Sequence, residues 1–266
     1  MRALLASAFI ACTCSGLDNG LGRTPLLGFN SWNSAACKVT ETFMKSTMDL
    51  FVSTGLRDAG FRHVSVDDCW ARSRDPVTSV IQPDPVAFPS GMKALADYAH
   101  ARNLSFGLYS SNSPLTCDQR PGSWGFEELD AATYASWGVD LLKYDNCGDQ
   151  SVIGPPEVGY ARMRDALNAT GRPIYFAACE WAVDFPSTWM RPVANSYRTT
   201  YDIRAFVKHL GLTTRALLPK HRVPKASPAP RPTRSLHPLH HHHHHPTPRE
   251  LLGVRSTSCR LAKHIC

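Results

Sequence analysis

The sequence predicts an α/β fold, a TIM-type (β/α)8 barrel that stops after about six strands. Three observations carry this reading. Short apolar runs alternate with amphipathic segments from residue 26 to residue 199. Strand-like starts fall near residues 63, 105, 140 and 174, a step of about 35 to 40 residues that suits a βαβ unit. Polar residues also recur directly after successive apolar runs: Asp67 and Asp68, Tyr109, Lys143 with Asp145, Glu180, then Arg198 with Asp202. Strand-end groups converge on the C-terminal rim of a closed barrel, so their recurrence favours a barrel over an open sheet.

The elements follow in order. Residues 26–30 read as the first strand. Residues 41–59 read as a helix, because Phe43, Met44, Met48, Phe51, Val52 and Leu56 recur at spacings of three and four. A strand at 63–67 precedes a Pro-containing loop that runs to residue 88. Residues 92–102 are helical, with Leu95, Tyr98 and Ala99 on one side. Strands at 105–109, 140–144 and 174–178 then alternate with helices at 129–137 and 158–169. A sixth strand lies at 195–199. Such apolar strands imply a parallel sheet buried on both faces. No later segment supplies strands seven and eight, which would leave the sheet with exposed edges.

Composition divides the chain in two. The 266 residues carry a net charge of +7, with 43% hydrophobic and 19% charged residues, which excludes a wholly disordered, collagen-like or coiled-coil protein. Residues 1–203 hold 17 Lys or Arg against 21 acids, whereas residues 204–266 hold 12 against Glu250 alone. Ten of the 12 His and eight of the 20 Pro lie in that second part, with Phe206 its only Phe, Trp or Tyr. So few large apolar groups cannot offset the entropy of ordering. Residues 215–250 are therefore expected to be disordered, and the basic charge describes an appendage. Nucleic acid is not the expected partner, because the tail lacks interleaved aromatics. The His240 to His245 run resembles compositional bias more than a metal site.

The start, MRALLASAFIAC, has the basic residue, apolar stretch and small residues of a short secretory signal, read as 1–16. It is too short to span a membrane, and no later stretch approaches about 20 apolar residues. Seven cysteines follow it without the paired spacing of a zinc site. An oxidising compartment, and hence a secreted or vacuolar/lysosomal location, is the expectation. Asn103-Leu104-Ser105 and Asn168-Ala169-Thr170 are glycosylation sequons.

The chemistry-bearing residues sit at the strand ends. In Leu142-Lys143-Tyr144-Asp145-Asn146-Cys147, positions 143 and 145 face the same way. A carboxylate beside a lysine is expected to keep a lowered pKa and stay ionised, as a nucleophile requires; a strand-end salt pair is the plain alternative. Asp67-Asp68-Cys69-Trp70 could bind a metal, hold sugar hydroxyls or cap a loop. Trp32, Trp70 and Trp181 follow strands and suit either a sugar face or the core. Arg198 could hold a substrate oxygen and Asp202 could act as an acid, or both could belong to an exposed loop. Glu180 is a hydroxyl ligand or a helix cap.

Together these blocks resemble glycoside hydrolase family 27 α-galactosidases of the plant and algal type. The resemblance covers residues 17–203: Leu17 to Pro25, Gly28-Phe29-Asn30-Ser31-Trp32-Asn33, Val66 to Trp70, Leu142 to Cys147, Cys179-Glu180-Trp181 and Arg198 to Ile203. It implies a retaining hydrolase of terminal α-linked galactose, with Asp145 as nucleophile and Asp202 as acid/base. It also implies Trp32, Asp67, Asp68, Tyr109, Lys143, Glu180 and Arg198 around the sugar, disulfides Cys37–Cys69 and Cys117–Cys147, and a free Cys179. A galactose-terminated glycan is the implied partner, with no cofactor or metal. Phe29 and Tyr197 stand where Trp is usual. The family continues past Ile203 with two more barrel strands, another rim carboxylate and an antiparallel β domain. The basic 204–266 segment resembles intronic or frame-shifted sequence instead. An inactive truncated fragment, an α-N-acetylgalactosaminidase and a basic interaction protein stay open as alternatives.

Overall fold

Six parallel strands form one sheet in the order β1-β2-β5-β6-β7-β8, in a computed structural model that describes residues 17–202. The expected signal at 1–16 and the tail at 204–266 lie outside the described residues. The sheet strands are β1 (Gly28–Asn30), β2 (His63–Ser65), β5 (Ser105–Ser111), β6 (Leu141–Asp145), β7 (Tyr175–Cys179) and β8 (Ser196–Tyr197). A short antiparallel hairpin, β3 (Ala71–Arg74) with β4 (Ile81–Pro83), stands apart from them. The helices are α1 (Trp32–Ala35), α2 (Glu41–Ser53), α3 (Gly91–His100), α4 (Glu127–Trp137), α5 (Gln150–Ile153) and α6 (Pro156–Ala169). This is an incomplete (β/α)8 barrel, six strands long as the sequence predicts.

Local chemistry sets the boundaries. The Thr40 hydroxyl accepts from the Phe43 backbone N–H at 3.2 Å and caps α2. That helix ends at Ser53, six residues short of the sequence expectation, where Gly55 takes a left-handed φ of 76°. Pro156 opens α6, where its missing N–H costs nothing, and Gly138 closes α4 at φ 82°.

Alternation along each strand divides the core. On β6, Leu142 and Tyr144 turn outward to the helices, and Tyr144 meets Tyr160 of α6 edge-on at 5.4 Å and Phe176 of β7 at 5.6 Å. Met163, Leu95, Ala99 and Tyr134 extend this layer. Leu141, Tyr175 and Ala177 turn the other way and pack with Leu21 and Leu26 as a smaller cluster. Burial on both faces explains why these strands read as continuous apolar runs.

The expected loop to residue 88 is corrected by the β3–β4 hairpin. Arg72 and Arg74 interrupt its apolar pattern, Pro83 ends it, and a bulge shifts its register between Ala71 and Ser73. Arg74 fastens it to α4 through a two-pronged contact with Asp130, at 2.7 and 2.6 Å. Among the described residues, no helix is long and apolar enough to cross a membrane.

Residues 17–201 belong to one compact unit, and Asp202 begins a second whose other residues lie outside the described ones.

Candidate active site

The ends of β2, β5, β6 and β7 bring acids, a lysine and a tyrosine onto one rim. Parallel pairing sets Tyr109 opposite Lys143, and Asp145 opposite Cys179. Lys143 and Asp145, two residues apart on β6, both face this rim as strand alternation requires. Lys143 Nζ donates to Asp67 Oδ2 at 2.7 Å, and Asn30 Nδ2 donates to the same oxygen at 2.6 Å. The Tyr109 hydroxyl donates to Asp145 Oδ2 at 3.0 Å. Behind it, the indole N–H of Trp70 donates to the Tyr109 carbonyl at 2.7 Å. Trp70 is thus buried core beneath the rim.

Asp68 is held from three sides. Its Oδ1 accepts from the Thr116 hydroxyl at 2.8 Å and the Cys69 N–H at 2.6 Å, and its Oδ2 accepts from the Asp118 N–H at 3.0 Å. Burial nonetheless pushes its carboxyl above the usual aspartate range. Glu180 is 1% exposed and accepts from Asn146 Nδ2 through Oε1 at 3.0 Å. Its Oε2 has no hydrogen-bond partner among the described residues. Burial pushes Glu180 up to about 7.

Asp145 departs from expectation. Burial pushes its carboxyl up to about 6, while Lys143, Cys179 and Tyr109 each favour the charged form without overcoming it. The expected lowering by Lys143 is present but outweighed, because Asp145 is only 5% exposed. Burial opposes the charge on Lys143 as well, but the nearby Asp67 and Asp145 carboxylates hold its ammonium above the usual lysine range.

Trp32 opens α1, half-buried, with its backbone N–H bound to Asn30 Oδ1 at 3.0 Å. Arg198 follows β8 and donates to the Cys179 sulfur at 3.3 Å. Trp181 is half-buried and left-handed at φ 44°. Asp202 is exposed.

The disulfides Cys37–Cys69 and Cys117–Cys147 are formed, and Cys179 is free and buried. The second disulfide lies against the site, with the Cys147 sulfur 3.6 Å from the Tyr109 hydroxyl. Asp118 sits beside the first disulfide and Asp145 beside the second at metal-ligand spacing. The sulfurs are bonded to one another, so neither set offers thiolate ligands.

Sequence reasoning misses Asn30, Thr116 and Asn146, the groups that hold the acids. Asn30 and Asn146 both sit at strand ends, the same signal that points to Asp67 and Asp145. Thr116 lies in a long loop and carries no such signal.

The chain is similar to known α-galactosidases. A family model described as alpha galactosidase A (Melibiase_2) matches residues 29–208. Alpha-galactosidase 3 of Arabidopsis thaliana is 51% identical over 187 residues, covering 70% of this chain and 42% of its own. The alpha-galactosidase of Cyamopsis tetragonoloba is 48% identical, covering 70% of this chain and 45% of its own. The solved α-galactosidase of Saccharomyces cerevisiae superposes with a TM-score of 0.69 at 41% identity, over 72% of this chain and 43% of that one. The chain therefore spans less than half the length of these relatives. Because the family match covers more than half of its own residues, the chain belongs to the α-galactosidases of glycoside hydrolase family 27.

Proposed function

We propose that the chain acts on terminal α-D-galactosyl residues as a retaining hydrolase, with Asp145 as nucleophile and Asp202 as acid/base. The observation that carries this reading is the buried Asp145 carboxylate, held by Tyr109 beside the Lys143–Asp67 pair. An attacking oxygen of Asp145 forms a bond to the anomeric carbon as the glycosidic C–O bond breaks, and the Asp202 proton passes to the leaving oxygen. Water then gives its proton back to Asp202, attacks the same carbon and frees Asp145. Retaining chemistry needs the two carboxyl groups roughly 5–5.5 Å apart.

Trp32 offers a ring to the sugar C–H face. Asp67, Asp68, Lys143 and Arg198 offer charges to its hydroxyls. Glu180 would accept from a 2-hydroxyl and crowd a 2-acetamido group, which favours galactose over N-acetylgalactosamine. The yeast relative has been solved with raffinose, and a raffinose-type oligosaccharide is the substrate class we propose. Both sequon asparagines are exposed, which with two disulfides supports a secretory route.

The test is turnover of a nitrophenyl α-galactoside, with trapping by a 2-fluoro galactosyl fluoride and mass measurement. We expect hydrolysis and a trapped glycosyl adduct on the protein, both lost in Asp145→Asn, and hydrolysis lost in Asp202→Asn. Near-normal turnover in either variant removes that residue from its role. A second reading rests on coverage: the chain reaches only 42–45% of its first relatives. It predicts galactose binding without turnover, or aggregation without either.

A further inference from the structure

Cys179 ends β7 in register with Asp145 on β6, and both side chains are buried. Registered residues on neighbouring strands lie about 4.8 Å apart and send their side chains to the same face. Arg198 Nη1 donates to the Cys179 sulfur at 3.3 Å. A thiol carries one proton and a weakly accepting sulfur. With that sulfur receiving the guanidinium N–H, its own S–H turns elsewhere, and Asp145 is its registered neighbour on β6. The thiol favours the ionised form of that carboxylate. Burial, helped by the Asp145 charge, holds the thiol well above the usual cysteine range. Cys179 thus keeps its proton while Asp145 ionises near 6.

We propose that Cys179 is a positioning residue for the nucleophile: oriented by Arg198, its thiol donates a hydrogen bond to the Asp145 carboxylate opposite the one from Tyr109. The two donors grip the carboxylate from the two strands that flank β6. The proposal rests on the reading of Asp145 as the nucleophile. The other charged or titratable groups around Asp145 are Lys143 on its own strand, Asp67 and Asp68 after β2, Tyr109 on β5, Tyr160 on α6, Glu180 after β7 and Arg198 after β8. All remain when Cys179 alone is changed; Cys179→Ala also takes away the acceptor of Arg198, whereas Cys179→Ser keeps an acceptor and a donor in its place.

The experiment titrates the Asp145 carboxyl carbon by NMR in the intact chain, its signal assigned by loss in Asp145→Asn. We expect Cys179→Ala to raise the midpoint by roughly half a unit to one unit. We expect Cys179→Ser, whose hydroxyl can donate in the same place, to restore it. In the unmodified chain, the S–H stretching band, assigned by its loss in Cys179→Ser, should shift as Asp145 ionises. Equal midpoints in all three proteins overturn the proposal, as do equally raised midpoints in both variants or a band indifferent to that ionisation. The infrared arm stands even if Cys179→Ala fails to fold. Neither readout needs turnover. Unimpaired hydrolysis by Asp145→Asn would overturn the nucleophile reading, while the titration still decides the thiol contact.

Discussion

The Tyr109 hydroxyl donates to Asp145 Oδ2 at 3.0 Å, and the backbone of Tyr109 is itself fixed by the Trp70 indole at 2.7 Å. Burial and the surrounding carboxylates hold the Tyr109 phenol far above its ordinary range, so it remains a donor at every working pH. A permanent donor favours the charged form of Asp145 and fixes which oxygen is left to attack.

Tyr109→Phe removes that donor and keeps the ring. Hydrogen bonds to charged groups contribute about 1.5–3 kcal/mol, so kcat/KM on a nitrophenyl α-galactoside should fall roughly 10- to 100-fold. The acid limb, set near 6 by Asp145, should move to higher pH because the carboxylate becomes harder to form. A pH profile of kcat/KM checks this; an unmoved acid limb would separate Tyr109 from the ionisation of Asp145.

Asp145 also sets a pH dependence of stability. Its folded value of about 6 lies above the ordinary 3.8, so the folded state binds more protons than the unfolded state between those values. The stability this proton confers is full below about 4 and is lost as pH rises through about 6. Asp145→Asn removes the charge and should stabilise the fold at neutral pH by at most about 3 kcal/mol, read as a higher midpoint of denaturant unfolding. The difference from the parent chain should close as pH falls toward 4. Equal unfolding midpoints at neutral pH would place Asp145 in a far more solvated setting than its 5% exposure implies.

The Lys143–Asp67 pair behaves differently, because both groups need each other. Asp67 is almost wholly buried at the side chain, at 3%, and its Oδ2 also takes Asn30. Lys143→Met strands that carboxylate with one remaining side-chain donor. Breaking a buried pair from one side costs about 3–5 kcal/mol, readable in urea unfolding. Pairing it with Asp67→Asn should recover most of the loss without restoring galactose affinity measured by calorimetry. Non-recovery in the double variant would show that Lys143 acts through packing instead of charge.

The strands of the sheet were legible because β6 and β7 carry buried apolar residues on both faces, and because polar residues mark where Asp67, Tyr109, Asp145, Glu180 and Arg198 leave the sheet. The hairpin was not legible, since Arg72, Arg74 and Pro83 break its alternation and its stability comes from Asp130, 56 residues beyond Arg74. Gly107 was equally silent. A Cβ there would lie 2.1 Å from the Ser65 hydroxyl, a close approach set only by the β2–β5 pairing. The ionisation of Asp145 was misread for a related reason. Adjacency to Lys143 is visible in sequence, but the depth of burial that outweighs it belongs to the folded sheet.

The hairpin clamp offers a stability test away from the chemistry. Asp130 is fully buried and accepts from Arg74 through both oxygens and from Ser123 Oγ at 2.7 Å. Arg74 also donates to the Gly122 carbonyl at 2.7 Å and lies 4.1 Å above the Phe126 ring. Arg74→Met keeps part of the packing on Phe126 but leaves Asp130 charged, buried and short of donors. We expect a loss of about 3–5 kcal/mol in urea unfolding. Asp130→Asn added to it should return part of that loss, because the amide oxygen still accepts from Ser123 without a buried charge. The Asp145 titration midpoint should stay near 6 in both variants, since neither Arg74 nor Asp130 is among the groups that shift it. A shift there would show that the β3–β4 hairpin, through Trp70 and Tyr109, helps hold the rim of the site.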